Sequence, residues 1–204
     1  MRRLTQIAFI LFLHVCSMSA AGQESYRDRW HQPERIMDSV RVIPGMIVGE
    51  VGAGDGYLTF KLSRRVKPGG FVYANDIVER GLRRIREQCE QDDVENIQTV
   101  MGQVDDPRFP VDTLDLVIMD YVFHEISHPV AFLNRLPDYM NPDAQLVIID
   151  RDPDKYGGDS DHFLKKDRVN ALLESSTFEV ERILTFLERD FVFMCRQPDP
   201  VAGP

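Results

Sequence analysis

The run Glu50-Val51-Gly52-Ala53-Gly54-Asp55-Gly56 restricts what this chain can fold into more than any other feature. It ends a short apolar stretch, residues 46–51, and is followed by Leu58, Leu62 and Val66 at helical spacing, so the pattern predicts a strand, a glycine loop and a helix. Glycine takes positive φ without strain and lets a backbone approach a ligand closely, while the following helix offers its free N–H groups. In an open parallel sheet such a loop lies beyond the carboxyl ends of the strands, where ligands bind. Many nucleotide-like ligands satisfy this much.

The remaining pattern extends that unit into a sheet. Residues 71–74 read as a second strand with Asp76 at its end, 97–101 as a third, 114–119 as a fourth and 146–149 as a fifth. The fourth and fifth are near-continuous apolar runs ending in Asp120 and Asp150, as strands buried on both faces should be. Amphipathic or charged helices are predicted over 32–42, 78–91, 130–140 and 168–175, the first ended by Pro44-Gly45. Two β-rich runs, 178–185 and 191–195, close the chain as a hairpin. The expected fold is therefore α/β, a doubly wound and mostly parallel seven-stranded sheet with an antiparallel C-terminal hairpin.

The glycine spacing narrows the ligand. Dinucleotide enzymes use G-x-G-x-x-G/A, whereas this loop reads G-x-G-x-G and carries Glu50 two residues before its first glycine. An acid there repels a pyrophosphate and suits a cationic amine. With these residues the chain resembles the class I S-adenosylmethionine-dependent methyltransferases, whose first motif is an acid followed by G-x-G-x-G. It is closest to small predicted methyltransferases with export signals, which share the Trp-x-x-Pro-x-Arg stretch found here as Trp30 to Arg35. The resemblance implies S-adenosyl-L-methionine as methyl donor, held by Glu50, Gly52, Ala53, Gly54 and Gly56. It places Asp76 on the ribose hydroxyls and Asp105 near the adenine amino group, with Asp106 competing for that place. It sets Asp120 and His124 beside the transferred methyl as candidate catalytic residues. Acids at strand ends also cap helices or solvate loops, and it is the order of Glu50, the glycines and Asp76 together that favours a donor site.

Methyl transfer asks the protein mainly for alignment and exclusion of water, and sometimes for a base. Histidine is the side chain whose ordinary titration suits that task, so His124 is the candidate base, with Asp120 orienting it or holding the substrate. The acceptor is expected to be a small molecule, walled by Trp30, Tyr121, Phe123 and the stretch 152–162. His124-Glu125-Ile126-Ser127-His128 also matches the zinc-protease pattern H-E-x-x-H. Pro129 directly after the second histidine disfavours a continuous zinc-binding helix, and no third ligand follows at the usual spacing, so no metal is expected.

A net charge of −9 argues against unassisted binding to nucleic acid, and the group Arg80, Arg83, Arg84 and Arg86 reads as a solvated helix face. Residues 1–21 have the layout of a secretory signal peptide: Arg2 and Arg3, an apolar run over 7–15, then Ser17, Ser19, Ala20 and Ala21. That run is too short to span a bilayer, and Val15 before Cys16 is bulkier than a lipid-attachment motif wants. The expectation is a protein exported to a bacterial periplasm, without a stable membrane anchor, with its domain over 22–196 and a disordered tail over 197–204. Cys89 and Cys195 fall on opposite halves of the expected sheet, so no bridge is expected. Because the methyl donor is made in the cytoplasm, export leaves a second reading open, a non-catalytic protein binding a nucleoside-like ligand on the same fold. A nicotinamide oxidoreductase is the third.

Overall fold

The apolar runs pair as their composition requires. The computed structural model describes residues 26–156 and 162–198; the stretch 1–21 expected to be a signal peptide and most of the expected tail lie outside the described residues. Its seven strands are β1 (Ile47–Val51), β2 (Phe71–Asp76), β3 (Ile97–Met101), β4 (Leu114–Asp120), β5 (Met140–Arg151), β6 (Glu179–Leu184) and β7 (Asp190–Arg196). They form one sheet in the order β3-β2-β1-β4-β5-β7-β6. β7 runs antiparallel to both β5 and β6, and the other neighbouring pairs are parallel. Strand order reverses between β1 and β4, which sets a crevice at their carboxyl ends.

Alternation along β4 shows how the layers are held. Val117 and Met119 face one core with Phe123, Phe132, Leu133, Leu172 and Leu173, while Leu116 and Ile118 face the other with Ile36, Met37, Leu58, Leu62 and Val66. These side chains come from α2 (Pro33–Ser39) and α3 (Thr59–Val66), with Leu58 just before α3, on one side, and from the 3-10 turn Phe123–Glu125, α5 (Pro129–Leu133) and α7 (Lys166–Glu174) on the other. α4 (Glu79–Asp92) seats Leu82 and Ile85 on Ala53 and Ala74, so it packs directly behind the glycine loop. Each fully buried Leu or Ile contributes roughly 1.5–3 kcal/mol, so both faces are needed to hold the sheet.

Three expected elements are corrected. The helix predicted over 32–42 is the shorter α2, and an unexpected helix, α1 (Tyr26–His31), precedes it; Pro33 bars Gln32 from helical geometry, and Gln32 turns left-handed at φ 50° between the two. The helix predicted over 130–140 is only α5 followed by a 3-10 turn, Leu136–Tyr139, in which Pro137 supplies no N–H. β5 starts at Met140 rather than 146, since Met140 pairs with Leu114 and the residues after it bulge out before Gln145 pairs with Leu116. A one-turn helix, α6 (Pro153–Tyr156), follows β5. Cys89 and Cys195 are both free thiols. Among the described residues no helix is long and apolar enough to cross a membrane.

Candidate active site

The glycine loop stands open at the carboxyl end of β1. Gly52 has φ 75°, and a Cβ there would meet Val122 of the β4 loop at 2.5 Å. Only glycine lets the two loops touch. Gly54 has φ 56° and nothing within 4 Å of a hypothetical Cβ, so the loop is open on that side, while Gly81 of α4 lets the Gly54 carbonyl approach its backbone. Its N–H donates to Asp76 Oδ2 at 2.8 Å, and the N–H of Val78 donates to Oδ1 at 2.8 Å. Asp76 thus joins β2 to the loop. With two backbone donors on four lone-pair directions, its carboxylate keeps capacity for further donors.

A cavity of about 180 Å³ lies between these parts, lined by Val51, Gly52, Asn75, Asp76, Ile77, Gln103, Val104, Val122 and Glu125, among others. Ile77 and Val104 are more than half exposed and stand together on the wall of this cavity. A flat ring between them and diol oxygens on Asp76 match an adenosine, and the residues present fit the expected donor. A larger cleft, about 940 Å³, runs between α3 and α4 among Arg64, Lys67, Arg84 and Glu87. It lies on the helix side of the loop, away from the strand ends where Asp120 and Asp150 stand.

The acids fall into different environments. Glu50 is 2% exposed and accepts a 2.5 Å hydrogen bond from Thr59 Oγ1. Burial, reinforced by Asp120 and Asp76, pushes its carboxyl up to about 8 against the opposing Thr59 and Arg27. Asp105 is exposed beside Gln103 and Val104, whereas Asp106 is engaged in the fold. The Asp106 carboxylate accepts from the Tyr139 hydroxyl at 2.5 Å and the Arg108 N–H at 2.9 Å. Ala53 anchors the loop by donating its N–H to the Asn75 carbonyl at 2.9 Å, and Gly56 closes the loop's turn by donating to the Ala53 carbonyl.

Asp120 and His124 do not meet as expected. The Asp120 carboxylate accepts from Arg27 Nη2 at 2.8 Å and His31 Nε2 at 2.7 Å, which fastens α1 across the strand ends. Arg27 stacks 3.7 Å over the Tyr57 ring, and Tyr57 donates to Asp28 at 2.6 Å, so α1 also covers one side of the loop. The carboxylate that orients His124 is Asp150, whose two oxygens lie 2.8 and 2.9 Å from Nδ1. A carboxylate accepts only, so the Nδ1 N–H donates to Asp150. Nε2 lies 3.4 Å from Glu125 Oε1, and the same oxygen lies 3.4 Å from His162 Nε2. His128 is exposed and precedes α5, apart from this group. Phe123, expected on the pocket wall, is fully buried in the core instead.

Reasoning from sequence missed Arg27, His31, Asp150 and Ile77, and placed His162 only at the end of the expected pocket stretch 152–162, not beside His124. Asp150 had a signal, since it ends a buried strand just as Asp120 does. The pairing of His162 with His124 had none, because the two are far apart in the chain and only the fold joins them.

Comparison with known proteins agrees with this geometry. A family profile described as a methyltransferase domain matches residues 44–189. Nocamycin O-methyltransferase of Saccharothrix syringae is 32% identical over 129 residues, 63% of this chain and 45% of that protein. The ubiquinone/menaquinone biosynthesis C-methyltransferase UbiE of Methylococcus capsulatus is 27% identical over 56% of this chain and 46% of its own. The chain thus spans about half the length of these curated relatives. Among solved structures, a SAM-dependent methyltransferase from Aquifex aeolicus superposes with a TM-score of 0.79 at 26% identity, covering 84% of this chain and 93% of that one.

Proposed function

Since the chain belongs to the methyltransferase-domain family, we propose that it transfers a methyl group from S-adenosylmethionine to a small organic acceptor. One observation carries the reading: Gly52 of the glycine loop, the Asp76 carboxylate and the exposed Ile77 and Val104 line one cavity at the switch point of the sheet. When bound, the donor supplies an activated methyl on a sulfonium, which holds most of the driving force.

The chain's own residues then divide the work. Asp76 and the loop hold and orient the donor. Glu50 stores a proton beneath the loop and is the acid that a cation arriving above it would ionise. The Asp150-oriented His124, next to the cavity wall formed by Glu125, is the group set to meet the acceptor.

A small acceptor is supported by the aromatic surroundings on the α1 side. Trp30 packs edge-on against Tyr121 at 6.1 Å between ring centroids, with Arg151 beside both rings. Aromatic walls with few polar groups suit small organic ligands. The relatives named for nocamycin, ubiquinone and menaquinone are named for molecules of that kind. The test is incubation of the purified chain with S-adenosylmethionine and a panel of phenolic and quinol acceptors, read by mass spectrometry. A mass gain matching one methyl on a panel member, with demethylated donor released in equal amount, is expected. Donor binding without methylation of any small molecule, together with methylation of a protein or RNA, would contradict the acceptor class.

A further inference from the structure

We infer that His124, Glu125 and His162 form a binding site for one divalent transition-metal ion at the edge of the donor cavity. The His124 and His162 Nε2 atoms each stand 3.4 Å from Glu125 Oε1, and all three donor atoms lie within 4.8 Å of one another. Ligands about 2.1 Å from a tetrahedral zinc are separated by about 3.4 Å, so two edges of the coordination polyhedron already have their proper length. The third edge closes with a small shift of His162, whose ring is half exposed and rests edge-on against His124 and Phe163.

The surroundings are those of a metal ligand set. Both Asp150 oxygens fix His124 Nδ1, which leaves Nε2 as a donor of electrons and holds the ring at one angle. The His124 ring is 5% exposed and packed edge-on by His162 and Phe163, so it is preorganised rather than mobile. Glu125 is 60% exposed and also lines the cavity, which gives an ion a path in and leaves coordination positions open toward the donor. Two imidazoles and one carboxylate suit Zn²⁺, Co²⁺ or Fe²⁺ and exclude a site built for Mg²⁺ or Ca²⁺, which take oxygen ligands. The cluster shares His124 and Glu125 with the H-E-x-x-H pattern but replaces His128 by a histidine from beyond β5.

An ion held there would ligate a hydroxyl or carboxylate oxygen of the acceptor next to the donor cavity. That role rests on the methyl-transfer reading, whereas the metal site does not. With an ion bound, His124 Nε2 is a ligand and no longer a base.

Chelator-stripped protein, dialysed and titrated with ZnCl₂ in a calorimeter, tests the site. One ion per chain is expected, with MgCl₂ giving no heat. His162→Ala and Glu125→Gln should each weaken zinc by roughly tenfold or more, while His128→Ala stays close to wild type. Both altered positions are exposed, and circular dichroism of each variant confirms that the fold persists. CoCl₂ gives a second readout, a visible absorption band of a four- or five-coordinate ion that His162→Ala abolishes. Wild-type zinc affinity in His162→Ala, or equal weakening in His128→Ala, would overturn the proposal. Titration with S-adenosylmethionine on the same samples keeps the two readings apart: zinc bound without donor bound would sink the methyltransferase reading alone, and the reverse would sink the metal site alone.

Discussion

Glu50 is neutral in the folded chain near neutral pH, because burial holds its carboxyl near 8 while the unfolded chain has the ordinary value of 4.5. The folded state therefore binds this proton more tightly, and the associated stability is present below the unfolded value and is lost as pH rises through about 8. Glu50→Gln mimics the neutral form, so urea unfolding at about pH 5 and about pH 9 should show wild type losing stability relative to the variant. Parallel profiles would mean that Glu50 ionises normally in the fold. Asp76→Ala should weaken donor binding by about 1.5–3 kcal/mol through loss of charge-assisted hydrogen bonds. His124→Ala should lower turnover of any methylated acceptor by about 100-fold or more, whether it acts as base or as ligand, with donor affinity little changed. His128→Ala should leave both close to wild type, and equal loss in the two variants would leave His124 without a special role. The strand-end acids were legible because each closes an apolar run. Which of them faces His124 was not, because Asp120 and Asp150 end neighbouring strands, and only α1, arriving from outside the sheet, decides that Asp120 is taken by Arg27 and His31.

At the level of elements, β1, α3, β2, α4 and β3 follow their sequence patterns closely, since each is bounded by glycine, proline or a change of period. α1 is the element that the pattern concealed. Its apolar residues are few, and it is held by Asp120, by Arg27 on Tyr57 and by Trp30 against Tyr121 rather than by an apolar stripe. Polar anchoring of this kind has no periodicity to read. It also makes α1 separable from the core. Asp120→Asn removes the charge paired with Arg27 while keeping the side-chain volume, so hydrogen exchange should speed up over residues 26–31 and stay slow in the sheet. Unchanged protection of these residues would assign the hold to aromatic packing instead.

For the whole molecule, the net charge of −9 disfavours unassisted binding to nucleic acid, in keeping with the small acceptor we propose. The signal-like layout of residues 1–21 leads us to propose export, and the N-terminus of protein recovered from a bacterial periplasm should begin near Gly22. An intact Met1 on protein kept in the cytoplasm would contradict it. The choice of donor is the claim on which the rest depends. Calorimetric titration of the purified chain with S-adenosylmethionine, its demethylated product and NAD tests that choice most directly. Both sulfur compounds should bind one per chain and weaken together in Asp76→Ala, with no heat from NAD. Binding of NAD in preference to the methyl donor, or donor affinity unchanged in Asp76→Ala, would contradict the account.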